Sequence, residues 1–214
     1  MTRNGNTVQK DPLKVLLLGD EGCGKTTLLK TYTGKRFDEQ YSPSVFDYYT
    51  ATVSLENKNS LGLNLWDTSG STDYDHVRPL SYKDTDVFIL CFDISSETSL
   101  SNVSKKWLIE MFENSPGKPF ILVGCKADLR DDSTVRNNEV SQEKIVPFTQ
   151  AMKFAKTIKA CDYLECSSKA MNDQIEKLFV TVARLGLGLN RRQSMKKKSL
   201  SCDLDKEKSK CVIS

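Results

Sequence analysis

No run of about 18 consecutive apolar residues occurs in the chain, so no segment reads as a membrane-spanning helix. Residues 1–12 are polar and no apolar h-region follows the start, so no signal peptide is expected. His76 is the only histidine; it is expected at the surface and is assigned no catalysis. The seven cysteines contain no C-x-x-C pair and are odd in number, which argues against a zinc or disulfide framework. Cys91, Cys125 and Cys166 lie inside apolar runs and read as reduced, small core residues. No internal repeat is present. Acidic and basic side chains nearly balance at net +3, but unevenly. Residues 190–214 carry eight Lys/Arg against Asp203, Asp205 and Glu207, a net +5, which leaves −2 for the rest. A slightly acidic body argues against a nucleic-acid platform.

What the chain does have is concentrated in residues 13–30. Val15-Leu16-Leu17-Leu18 reads as a buried parallel strand. It runs into Gly19-Asp20-Glu21-Gly22-Cys23-Gly24-Lys25-Thr26, which fits G-x-x-x-x-G-K-[ST], and Leu28 and Leu29 are expected to begin a helix. The order is what the physics needs. A strand aims a loop at a helix start, and the loop amides converge on an anion where the helix dipole is positive. Gly24 allows close backbone approach, Lys25 brings a charge to the outer phosphates, and Thr26 offers a hydroxyl to Mg²⁺.

Strand-like and helical patterns then alternate, which predicts an α/β fold with a mostly parallel sheet. After a polar loop at 34–47, runs at 48–55 and 61–66 are joined by the short polar stretch 56–60, a hairpin that makes one strand antiparallel. A loop is expected at 67–79. Buried strands are expected at 87–92 and 119–125, and a short last one at 163–166. Helix faces are marked by Leu100, Val103, Trp107 and Met111, by Phe148, Met152, Ala155 and Ile158, and by Ile175, Leu178, Phe179, Val182 and Leu185.

Two further constellations follow strands. Asp67, in Trp66-Asp67-Thr68-Ser69-Gly70, is a carboxylate at a strand end beside the phosphate loop and can hold Mg²⁺ through a water. Asp128, in Cys125-Lys126-Ala127-Asp128, can accept both N1–H and the exocyclic N–H of guanine, a donor pair adenine lacks. The Lys126 stem can lie along the base, and Glu165-Cys166-Ser167-Ser168-Lys169 can close the other base edge with backbone amides. A P-loop ATPase or kinase is disfavoured by Lys126-Ala127-Asp128.

These motifs, with Tyr41-Ser42-Pro43-Ser44-Val45-Phe46-Asp47, Asp73-Tyr74-Asp75, Arg78-Pro79-Leu80-Ser81-Tyr82 and Leu129-Arg130-Asp131-Asp132, resemble those of Ras-superfamily small GTPases, specifically the Rho family. The resemblance covers 13–189 and the C-terminal box. It implies a P-loop NTPase fold with a six-stranded, mostly parallel sheet, one antiparallel strand and helices on both faces. It implies a flexible N-terminus at 1–12, a GTPase domain at 13–189 and a basic tail at 190–214. A Rho-type insert would lie near 133–145, where Val135 and Asn137-Asn138 are poor helix formers.

GTP or GDP and Mg²⁺ are the implied ligands. Gly22, Cys23, Gly24, Lys25, Thr26 and Thr27 would cradle the phosphates. Phe37 would stack on the guanine, Tyr41 would cover the phosphates, and Ser44 would join Thr26 and Asp67 at Mg²⁺. Ser69 and the Gly70 amide would meet the outermost phosphate. Lys126, Asp128, Leu129, Ser167, Ser168 and Lys169 would hold the base. Segments 37–49 and 69–82 would be nucleotide-ordered switches that engage effectors, exchange factors and a dissociation inhibitor. Asp73, Asp75 and Arg78 are expected as a solvated regulator-facing patch, and the protein as a monomer.

Three positions depart from the family pattern, and they bear on one step. Of the catalytic set Lys25, Gly70 and Ser71, the last stands where the family has a glutamine that orients the attacking water; a serine is too short to reach there. Glu21 stands where glycine is usual; at ~6 Å and an effective dielectric of 20 its charge opposes phosphate by about 3 kcal/mol, less if it turns to water. Ser44 replaces the usual threonine and loses the methyl that restricts χ1. Slow, GAP-resistant hydrolysis is expected, as in the Rnd subgroup, which also has Ser-Gly-Ser. A persistently GTP-loaded binding module is the alternative.

The chain ends Cys211-Val212-Ile213-Ser214, a C-a-a-X box whose serine suggests farnesylation of Cys211. One lipid binds reversibly, so the basic tail supplies the second membrane signal. Cys202 is a weaker lipid site. Phosphorylation of Ser194, Ser199, Ser201 or Ser209 would lower membrane affinity. The expected location is the cytoplasmic face of the plasma membrane or endomembranes, with a cytosolic pool.

Overall fold

The computed structural model describes residues 11–34, 46–55, 60–130, 145–170 and 173–189. Phe37, Tyr41, Ser44, most of the insert region, and the tail with Cys202 and Cys211 lie outside the described residues.

Six strands form one sheet in the order β2-β3-β1-β4-β5-β6. They are β1 (Leu13–Gly19), β2 (Phe46–Ser54), β3 (Ser60–Thr68), β4 (Val87–Asp93), β5 (Phe120–Cys125) and β6 (Tyr163–Cys166). β2 and β3 pair antiparallel; β1–β3, β1–β4, β4–β5 and β5–β6 all pair parallel. This is the expected α/β architecture, and the five parallel strands send their C-terminal ends to one edge. Ligands of open α/β sheets bind at that edge.

The near-continuous apolar runs of β1 and β4 are explained by burial on both faces. Val15, Leu17, Ile89 and Cys91 point into one core, together with Leu28 and Leu29 of α1 (Lys25–Tyr32) and Ile175, Leu178, Phe179 and Val182 of α5 (Gln174–Gly186). Leu16, Leu18, Phe88, Leu90 and Phe92 point the opposite way, into a core shared with Leu100, Val103, Trp107 and Met111 and with Ala151 and Ala155 of α4 (Phe148–Thr157). Among the described residues no helix is long and apolar enough to cross a membrane.

Several elements differ from expectation. The helix after the phosphate loop begins at Lys25, not Leu28, because Gly24 takes the N-cap position in a left-handed conformation. Residues 100–111 are not one regular helix. A π-helical turn, Val103–Trp107, joins α2 (Glu97–Asn102) to α3 (Leu108–Asn114), and all four predicted core positions stay buried. In α4 the buried positions are Ala151 and Ala155, while Phe148 is exposed and leans on Tyr163. In α5 Ala183 is buried and Leu185 only partly so. The loop expected at 67–79 begins only after Thr68 and holds two 3₁₀ turns, Thr72–Tyr74 and Arg78–Tyr82.

Candidate guanine-nucleotide site

The loop between β1 and α1 is built against the rest of the sheet. Gly24 has φ +115°, and a Cβ there would lie 3.0 Å from the Cys125 Cβ at the end of β5, so conformation and space both demand glycine. Cys23 is buried beneath the loop, and burial above all pushes its thiol up to about 12. Gly22, with φ +72°, has open space around it. Lys25 is 5% exposed and curls back over the loop, its Nζ donating to Gly19 O and Asp20 O at 2.8 Å each. The ammonium is thereby held at the mouth of the loop instead of wandering on a flexible stem. Thr27 is half-buried in the same first helical turn.

Thr26 and Asp67 come together across 41 residues, the Thr26 Oγ1 hydroxyl donating to Asp67 Oδ2 at 2.5 Å. Asp67 is fully buried on β3, a neighbour of β1 in the sheet, where the parallel register sets it opposite Leu17. Thr68 donates to Leu17 O at 2.7 Å and locks that register. A hydroxyl and a buried carboxylate are hard oxygen donors suited to Mg²⁺. Among the described residues no group of three or more His, Cys, Asp or Glu could hold a metal alone. The donor set therefore fits an ion whose remaining ligands are waters and phosphate oxygens. Bound there, Mg²⁺ would neutralise phosphate charge, with Thr26 and Asp67 holding it.

Past β3 the backbone turns under the phosphate loop. Gly70 is pressed so close that a Cβ would lie 2.2 Å from Glu21 N, 2.4 Å from the Asp20 carbonyl carbon and 2.6 Å from Gly19 O. Ser69 is buried and its Oγ accepts from Ser71 N at 3.2 Å. The Ser71 hydroxyl accepts in turn from Asp73 N at 3.3 Å, capping the first 3₁₀ turn. Glu21 is exposed.

Arg78 overturns its sequence-based placement. It is not part of a solvated patch but is completely buried. Its Nε donates to Ser69 O at 2.8 Å and Nη2 to Ser71 O at 2.7 Å. Nη1 donates to both Glu110 oxygens and Nη2 to Asp75 Oδ1. Asp75 also pairs with Lys106 at 2.8 Å. Burial raises the Asp75 carboxyl, but the bonds from Lys106 and Arg78 outweigh this and hold it below the usual range. Asp73 and His76 are exposed. No sequence signal marks Arg78: it sits in a polar stretch without periodicity, and only tertiary folding supplies the acids and carbonyls that make its burial tolerable.

At the other end of the same sheet edge, Asp128 and Ser167 meet across 39 residues. The Ser167 hydroxyl, 1% exposed, donates to Asp128 Oδ1 at 2.6 Å and accepts from Ala170 N at 2.9 Å. Asp128 lies in a 3₁₀ turn, Ala127–Arg130, directly after β5, and Leu129 packs its side chain on the second core. Lys126 takes φ +65°, unusual for a side-chain-bearing residue, and its Nζ pairs with Asp93 Oδ2 at 2.6 Å. Ser168 is half-buried and Lys169 exposed. Arg130 steadies the arrangement, gripping both Glu165 oxygens at 2.6 Å and donating to Val146 O at 2.7 Å. Tyr163 also donates to Glu165.

The loop after β1, the buried strand-end carboxylate of Asp67 and the carboxylate of Asp128 thus lie along one edge of a parallel sheet, the layout of a P-loop nucleotide-binding protein. The Ras family model matches residues 14–187. The chain is 40% identical over 191 residues to the Rho-related GTP-binding protein RhoF of Homo sapiens, covering 89% of this chain and 90% of that one. It is 41% identical over 186 residues to the GTP-binding protein RHO1 of Candida albicans, with 86% and 93% covered. It is 38% identical over 201 residues to the GTP-binding protein rho5 of Schizosaccharomyces pombe, with 94% and 96% covered. The chain belongs to the Ras family, as a Rho-related GTP-binding protein.

Proposed function

We propose that this Rho-family protein is a GDP/GTP switch that hydrolyses GTP slowly and resists GAPs. The observation that carries this is the engagement of Ser71. Its hydroxyl oxygen caps Asp73 N and its carbonyl accepts from Arg78, which fixes the residue in place, and its side chain is too short to reach where a glutamine amide would hold the attacking water. Water positioning and an arginine finger together supply up to about 10⁵ in rate, and Ser71 removes the first while Glu21 crowds the second. The test is single-turnover hydrolysis of γ-labelled GTP with and without a Rho GAP. Slow, GAP-insensitive turnover is expected, with Ser71→Gln faster. Turnover of the unaltered protein at ordinary Rho rates overturns the proposal.

The same engagement favours a second reading, a GTP-held binding module controlled by lipid, phosphorylation or abundance instead of hydrolysis. Nucleotide content of the purified protein separates the two: mostly GTP supports the module, mostly GDP a cycling switch. In either case effectors that regulate actin, exchange factors and a dissociation inhibitor would engage 37–49 and 69–82. Farnesylated Cys211 and the basic tail would hold the protein at the inner leaflet of the plasma membrane or on endomembranes, with a cytosolic pool.

A further inference from the structure

The phosphate loop and the second switch are joined by a closed ring of contacts that runs through the π-helical turn. The Asp20 carboxylate accepts the Trp107 indole N–H at 2.7 Å and the Asn102 side-chain amide at 2.9 Å. The Arg78 guanidinium lies over the Trp107 ring, Cζ 4.8 Å from its centroid. Arg78 holds the carbonyls of Ser69 and Ser71. Gly70, between them, returns against the backbone of Asp20 and Glu21 and closes the ring.

Three physical features make the ring specific. In a regular α-helix residues five apart point about 140° away from each other, so Asn102 and Trp107 could not both reach one carboxylate. The widened turn, in which Leu108 N bonds to Val103 O, brings them to the same side. Next, all five N–H donors of Arg78 are used, which a lysine with three donors cannot reproduce. Last, Asp20 is an anion inside a phosphate-binding loop, and its two donors draw that charge toward the helix.

We propose that Trp107, Asn102 and Arg78 are positioning residues of the guanine-nucleotide site, holding phosphate loop and second switch as one body, so that nucleotide retention depends on the α2–α3 junction. The proposal rests on guanine-nucleotide binding but not on the rate of hydrolysis. The test is release of a fluorescent N-methylanthraniloyl GDP from the full-length protein in Mg²⁺. Trp107→Phe keeps a six-membered aromatic ring but removes the N–H with the pyrrole half of the indole; it speeds release at least about tenfold, the worth of one hydrogen bond to a charged group. Asn102→Ala gives a smaller increase, and Arg78→Lys an increase similar to that of Trp107→Phe. Trp107→Phe with Arg78→Lys falls short of the product of the two, because both break one ring. Ile109→Ala, an exposed position on the same helix, leaves release unchanged. Should Arg78→Lys fail to fold, Trp107→Phe and Asn102→Ala decide alone. Release within twofold of the unaltered protein for both, or an equal effect of Ile109→Ala, overturns the proposal. An unaltered protein that binds no guanine nucleotide instead sinks the reading on which it rests.

Discussion

Gly70→Ala tests how tightly the segment after β3 is seated on the loop between β1 and α1. The added Cβ meets three backbone atoms, the nearest Glu21 N at 2.2 Å, and none is the end of a flexible side chain. Ordinary contact begins near 3.4 Å, so the two segments must part by about 1.2 Å. Overpacking of this kind costs roughly 1–3 kcal/mol. A displacement of ~1 Å at a reacting site can cost up to about a hundredfold in function. Because this backbone faces the outer phosphates in the family's arrangement, GTP affinity should fall at least about tenfold more than GDP affinity. Gly34→Ala is the control. Gly34 has φ +79° and open space, so alanine there meets backbone strain alone, about 1–2 kcal/mol. It should lower the thermal midpoint by several degrees without changing the GTP-to-GDP ratio. Competition titrations with both nucleotides give the ratio. An unchanged ratio for Gly70→Ala, or an equal change for Gly34→Ala, refutes the close seating.

At the base end, Ser167→Ala removes the hydroxyl that fixes Asp128 and leaves Ala170 N without its acceptor; GDP affinity should drop about tenfold in a binding titration. Asp128→Asn should transfer preference from guanosine to xanthosine nucleotides, and an untouched preference would remove Asp128 from the base site. Among the five described cysteines, Cys161 is exposed and should be alkylated quickly in the native protein, while Cys23, Cys91, Cys125 and Cys166 react only on unfolding, as peptide mapping would show. Alkaline pH should destabilise the fold. The Cys23 thiol is pushed up to about 12 by burial, and Cys91 and Cys166 are raised as well. Unfolded thiols lose protons above about pH 8.5, so the unfolded state binds fewer protons and stability falls as pH rises. Tyr32 and Tyr49, also raised to about 12 chiefly by burial, add to the fall above about pH 10. Urea midpoints between pH 7.5 and 10 would show it; a flat profile would contradict the buried thiols.

Where a residue's role depends on its near neighbours, the sequence was legible. The apolar runs of β1, β4 and β5, the hairpin of β2 with β3, and the helical spacing of 100, 103, 107 and 111 all follow from local pattern. Trp107 was legible as a core residue but not as a donor to Asp20, because 87 residues separate them. The π turn was equally hidden, since the four buried positions in and around it, 100, 103, 107 and 111, keep a spacing that a regular helix also satisfies. Arg78 was misplaced because charge alone predicts exposure. Phe148 was misplaced because α4 turns its smaller side chains, Ala151 and Ala155, toward the sheet.

Taken alone, the order of residues settled the fold class and the family motifs between β1 and α1, since each is a short pattern that acts within a few residues. Only the folded chain decided that Arg78 is an internal anchor reaching Glu110 and the Ser69 carbonyl, and that Asp20 is fastened to Trp107. Those facts depend on which carbonyls and carboxylates distant strands and helices bring within hydrogen-bonding distance, and no local pattern records that.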